Sequence, residues 1–106
     1  MKELVHAIKT AVFQEYDRAA EKFGEANNSD HESYAVILEE LEEADEQRFA
    51  FKSYMEEFWK CVKGNDRKKA RSYLLEMQRT ASNAASEWVQ VAAMCHKATQ
   101  KEQANL

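Results

Sequence analysis

The sequence predicts an all-α protein, and three observations carry that expectation. The 106 residues include no Pro and only two Gly, so little divides the chain into short elements. Ala, Glu, Lys, Gln and Met are plentiful, whereas β-branched residues are few. Over long stretches the apolar residues recur at spacings of three and four. With 44% hydrophobic and 32% charged residues the chain has enough apolar surface to fold. Its length suits a single domain spanning residues 1–106, without a large private core.

The first helix is expected over residues 2–23, where Leu4, Val5, Ile8, Ala11, Val12, Tyr16, Ala19 and Phe23 form one face. Gly24 is its stop, and the segment EANNSD is a turn. Ser29 with Glu32 three residues later reads as a capping box opening the second helix, residues 30–62. Inward positions there read Tyr34, Ile37, Leu41, Ala44, Arg48, Phe51, Met55, Phe58 and Val62, a heptad-like alternation broken only by Arg48.

Gly64-Asn65-Asp66 closes that helix and caps the third, residues 66–102. The third helix has a seam of Ala70, Tyr73, Met77, Ala81, Ala84, Trp88, Val91, Cys95 and Ala98. Two helices of this length, each roughly 45 to 50 Å, joined by a tight turn make a long antiparallel hairpin beside the N-terminal helix. Phe13, Phe49, Trp59 and Leu75 lie beside the seams, so the expected architecture is a four-helix-bundle-like core completed by homo-oligomerisation, as a homodimer or homotetramer.

The hairpin raises a question about the run EELEEADE, Glu39 to Glu46, six of whose eight residues are acidic. Such runs are usually solvated helix faces, and Glu39, Glu42 and Glu46 point away from the seam. A turn centred on Gly64 and Asn65, however, sets Glu43 opposite Glu87 and Glu40 opposite Gln90. Glu40 and Glu43 are three apart and share a face, as do Glu87 and Gln90. Three carboxylates and one amide oxygen therefore meet at one level. Carboxylates so gathered repel. A Mg²⁺ ion, which takes a few carboxylates together with substrate phosphates, removes that repulsion.

The segment HESYAVILEELEE, followed later by EWVQVAAM, resembles the all-α nucleotide pyrophosphohydrolases of the MazG-like group, which are related to dimeric dUTPases. Small phage-type members carry a similar HE-x-Y-A-V-x-x-EE-x-x-E segment and a Q-V-A-A-M segment, and EKFG looks like the end of the family's first helix. The resemblance implies metal-dependent hydrolysis of a nucleoside triphosphate to a monophosphate and pyrophosphate, with Mg²⁺ or Mn²⁺ as cofactor. It implies that Glu40, Glu43 and Glu87 ligate the metal, that Glu39 orients the attacking water, and that His31 contacts substrate. Gln90 stands where the family's E-x-x-D pattern has Asp, so this position offers an oxygen but no charge. The two motifs are also further apart than the family usually shows. These departures define the rival expectation, a catalytically inactive helical scaffold or interaction protein of the same fold.

Other features exclude function classes. A formal charge of −4 does not suit a nucleic-acid-binding surface, so no nucleic-acid partner is expected. No apolar run approaches the roughly 20 residues that cross a bilayer, and MKELVHAIKT is charged too early for a signal peptide. Two Cys make no disulfide framework, which favours a reduced, cytoplasmic setting. Glu3-x-x-His6 alone is half of what a di-iron bundle needs. Lys60, Lys63, Arg67, Lys68, Lys69 and Arg71 gather at the hairpin tip, where solubility and helix-end electrostatics explain them. Trp59 and Trp88 are expected in the core.

Overall fold

The computed structural model describes residues 1–104, and their side chains through residue 100. It contains three helices, α1 (Lys2–Phe23), α2 (Asp30–Lys63) and α3 (Arg67–Ala104), with no strand among the described residues. The expected all-α class holds, and each helix boundary falls within two residues of its expected place.

Local chemistry explains the boundaries. Gly24 adopts φ 96°, a region that side chains with a Cβ rarely enter, and its N–H donates to Ala20 O at 2.8 Å. The Tyr16 hydroxyl donates to Glu25 O at 2.8 Å and pins the chain just past α1. At the start of α2 the Glu32 N–H donates to Ser29 Oγ (3.1 Å), while Glu32 Oε2 accepts from the Asn28 N–H (3.2 Å). This is the anticipated box with its return bond moved one residue upstream.

The tip turn falls at Gly64-Asn65-Asp66 as expected, and its left-handed residue is Asn65 (φ 56°). Asp66 N–H donates to Cys61 O (3.0 Å) and Asn65 N–H to Val62 O (3.2 Å), the paired bonds of a Schellman motif. Asp66 then caps α3, accepting from the Lys69 N–H at Oδ1 (3.1 Å).

The chain divides into two compact units, one of Met1–Leu41 with Glu87 onward, the other of Glu42–Ser86. In the second unit α2 and α3 run antiparallel as a hairpin. Ala44, Cys61, Ala70 and Thr80 are buried there, and Asn83 Nδ2 donates to Gln47 Oε1 at 3.5 Å. The Thr80 hydroxyl turns back on its own helix, within 3.0 Å of Glu76 O and 3.1 Å of Met77 O. In the first unit Val91, Ala93 and Met94 are buried. Helix α1 meets α3 through Phe13 and Tyr16, whose rings stand edge-on to His96 at 5.0 and 4.7 Å.

The buried stripe is where the structure corrects the sequence reading. Ile37, Ala44, Phe51 and Phe58 face inward as expected, but the alternate positions are Ser33, Glu40, Gln47, Tyr54 and Cys61. Each lies one residue before or beside the anticipated Tyr34, Leu41, Arg48, Met55 and Val62, of which all but Leu41 are exposed. On α3 the same shift replaces Ala81, Trp88 and Cys95 by Thr80, Glu87 and Met94. A heptad has two flanks around one set of anchors, and apolarity selects the wrong one here because several inward residues are polar. Trp59 and Trp88 are consequently exposed, at 57% and 54%, instead of in the core. No described helix is long and apolar enough to cross a membrane.

Two predictions test these boundaries. Ser29→Ala should lower stability by about 1 kcal/mol in thermal unfolding followed by circular dichroism. Burial, then the nearby Glu25 and Asp17 carboxylates, hold the Tyr16 hydroxyl above its ordinary value of 10.0. Folding therefore favours the protonated phenol. That contribution is complete below the unfolded value, about 10, and vanishes as pH rises through the folded one. Denaturant titrations across this alkaline range should show wild type losing stability more steeply than Tyr16→Phe.

Candidate metal centre and cavity

The inward shift of the stripe puts Glu40 and Glu87 on the facing seams of α2 and α3, both half-buried. Each offers a carboxylate oxygen within 4.8 Å of the other. Glu43 follows Glu40 by three residues along α2 and is exposed. The tip-turn register set Glu43 opposite Glu87 and Glu40 opposite Gln90; the approach seen across the two helices is that of Glu40 and Glu87.

Glu40 also lines a cavity of about 560 Å³ within the first unit. Glu39 and Gln90 line the same cavity. The family-like roles expected of these three residues thus concern side chains that share one space. Gln90 has a partner that the sequence did not announce: its Nε2 donates to Glu15 Oε2 on α1 at 2.7 Å. Glu15 in turn pairs through Oε1 with Arg18. The Gln90 amide nitrogen is thereby engaged, and its carbonyl oxygen is the end left to act as a ligand. His31 is exposed in the first turn of α2 and is not among the residues lining the cavity.

Three further residues belong to this region and escaped the sequence reading. Glu15 shares no motif with Gln90, and only α1–α3 packing joins them. Asn27, in the turn before α2, is 5% exposed and donates from Nδ2 to Ser33 Oγ at 2.9 Å. Lys97 is 6% exposed, although lysine is almost never buried without a partner. Its one legible signal is position: Lys97 falls three residues after Met94 and seven after Gln90, on the face that α3 turns to the cavity.

The donor set suits a hard divalent cation. Carboxylate and amide oxygens are the ligands that Mg²⁺ and Mn²⁺ accept, and like-charged oxygens this close gain from a cation among them. In contrast, the pair Glu3 and His6 and the tip cations Arg67, Lys68 and Lys69 are all exposed. Compared with protein-family models, with curated proteins and with solved structures, the chain matches none.

Mg²⁺ or Mn²⁺ titrated into chelator-treated protein should raise the melting temperature. At a hundredfold excess over Kd the stabilisation reaches about 2.7 kcal/mol. Glu87→Gln should abolish that rise, and Glu3→Gln should leave it intact.

Proposed function

We propose that this chain is a metal-dependent nucleoside triphosphate pyrophosphohydrolase, converting a triphosphate to a monophosphate and pyrophosphate. The observation that carries the reading is the approach of Glu40 and Glu87 beside a cavity of about 560 Å³ that Glu39 and Gln90 also line. That volume falls in the range of small-molecule sites. The resemblance of HESYAVILEELEE and EWVQVAAM to the MazG-like group supplies the reaction class.

In this reading Glu40, Glu43 and Glu87 hold Mg²⁺, or Mn²⁺, and the Gln90 carbonyl oxygen contributes a neutral fourth ligand. The ion, when bound, neutralises phosphate charge and lowers the pKa of a coordinated water. Glu39 accepts a proton from the attacking water and aims it at phosphorus. The bond between the α- and β-phosphates breaks, and pyrophosphate leaves with the electron pair. Glu15 positions Gln90 through its hydrogen bond. His31, exposed and within one turn of the cavity-lining Glu32, contacts substrate only from the rim.

The reading includes a homo-oligomer. Leu4, Val5 and Ile8 on α1 are exposed, and so are Phe49, Met55, Trp59, Val62 and Leu75 in the second unit. Large apolar side chains in such numbers on a small protein fit burial against further copies of the same chain. A cytoplasmic setting accords with Cys61 and Cys95, which are both free.

One observation favours a second reading, a non-catalytic scaffold of the same fold. The family's Asp position is held here by Gln90, whose amide is bonded to Glu15. The two readings part in one assay. Pyrophosphate release from a panel of ribo- and deoxyribonucleoside triphosphates should require Mg²⁺ and stop with chelator. Glu40→Gln and Glu87→Gln should each reduce it by more than about 100-fold, beyond the loss typical of groups that merely support a ligand. Absence of release from every nucleotide, with no cation binding, would establish the scaffold.

A further inference from the structure

The cavity is graded along its length. On α3, Gln90, Met94 and Lys97 occupy successive turns of one face, and on α2 Glu40, Val36 and Glu32 do the same in the opposite direction. At about 1.5 Å per residue, Gln90 to Lys97 spans roughly 10 Å. One end therefore presents Glu39, Glu40 and Gln90, the middle presents the apolar Val36 and Met94, and the far end presents Lys97 with Asn27, Phe23 and Glu32, whose Oε2 already accepts from the Asn28 N–H.

The far end holds two buried polar groups of opposite kind. Asn27 is 5% exposed, and while its Nδ2 is bonded to Ser33 Oγ, its Oδ1 has no hydrogen-bond partner among the described residues. Buried acceptors are rarely left in that condition, because losing water without replacement is unfavourable. Lys97 is 6% exposed, with Nζ 5.8 Å from the centre of the Phe23 ring. Asn27 Oδ1 can only accept, and an ammonium can only donate.

A ligand that satisfies both must offer an N–H and a lone pair, with apolar surface to lie against Val36, Met94 and Phe23. A phosphate offers acceptors alone and would oppose Asn27 Oδ1. A hydrocarbon offers neither group. A nucleobase offers both on a rigid edge, together with two flat apolar faces. We propose that the Asn27–Lys97 end of the cavity is a nucleobase subsite, in which Asn27 Oδ1 accepts a base N–H and Lys97 Nζ donates to a ring nitrogen or carbonyl oxygen. This rests on the nucleotide reading above, and places the base roughly one nucleotide length from the carboxylates that face the phosphates.

The test separates the two claims. Binding of the four deoxynucleosides, which carry no phosphate, is measured by calorimetry on the full chain in excess chelator. Wild type should bind at least one of them. Asn27→Leu and Lys97→Met should each weaken that binding roughly tenfold, the effect of one hydrogen bond at a buried site. Inorganic tripolyphosphate binding in Mg²⁺ should be unchanged in both variants. Should Asn27→Leu fail to fold by circular dichroism, Lys97→Met decides alone. The proposal is overturned if no deoxynucleoside binds wild type, if the variants bind as wild type does, or if Lys97→Met loses tripolyphosphate instead. Deoxynucleoside binding that follows this pattern without any pyrophosphate release would support the subsite and remove only the hydrolase reading.

Discussion

The organising constraint is that polar side chains turned into a helical seam must each meet a partner there. On α2 the seam passes through Ser33, Glu40 and Gln47, none of which would be chosen for burial by hydropathy. Ser33 meets Asn27, and Gln47 meets Asn83. Glu40 comes close to Glu87, a group of its own charge. Two carboxylates at this separation gain from a cation or proton between them. The proposed chemistry grows from that approach.

How much of this was legible in the sequence depends on the kind of signal. The helices were, because Gly24, the Ser29–Glu32 box and the Asn65–Asp66 turn are local devices whose chemistry needs no knowledge of the fold. The level at which Glu40 and Glu87 meet was legible too, since a tight turn between long helices sets the register, although that register placed Glu43 opposite Glu87 and Glu40 opposite Gln90. The flank of the heptad was not. Periodicity leaves two choices around Ile37, Ala44, Phe51 and Phe58, and preferring Val62 over Cys61 or Trp88 over Glu87 follows an average that polar partners override. Asn27 and Glu15 were beyond reach for another reason: their significance lies in long-range contacts, and no spacing within one helix encodes those; for Lys97 the spacing gives its face on α3 but not its burial.

The displaced stripe has an outward counterpart. By turning Ser33, Gln47 and Glu87 inward, the fold leaves Tyr34, Phe49, Met55 and Trp88 outside. The polar side chains inside and the apolar ones outside are two results of one rotation of each helix about its axis. Under the proposed function the first forms the site and the second forms the contact with another copy.

Helix α1 contains no buried residue along its 22 positions, although it supplies Ala19 and Phe23 to the cavity wall and Glu15 to Gln90. Its contacts with α3 among the described residues include ring edges against His96, the Phe23 ring beneath Lys97 Nζ and the Gln90–Glu15 bond, none of which buries an α1 side chain fully. Local opening is easiest where apolar contacts are fewest. Amide hydrogens of α1 should thus exchange ahead of those in the buried stretch of α3 around Ala93, and the same loosening that exposes them widens the chamber for a molecule entering or leaving.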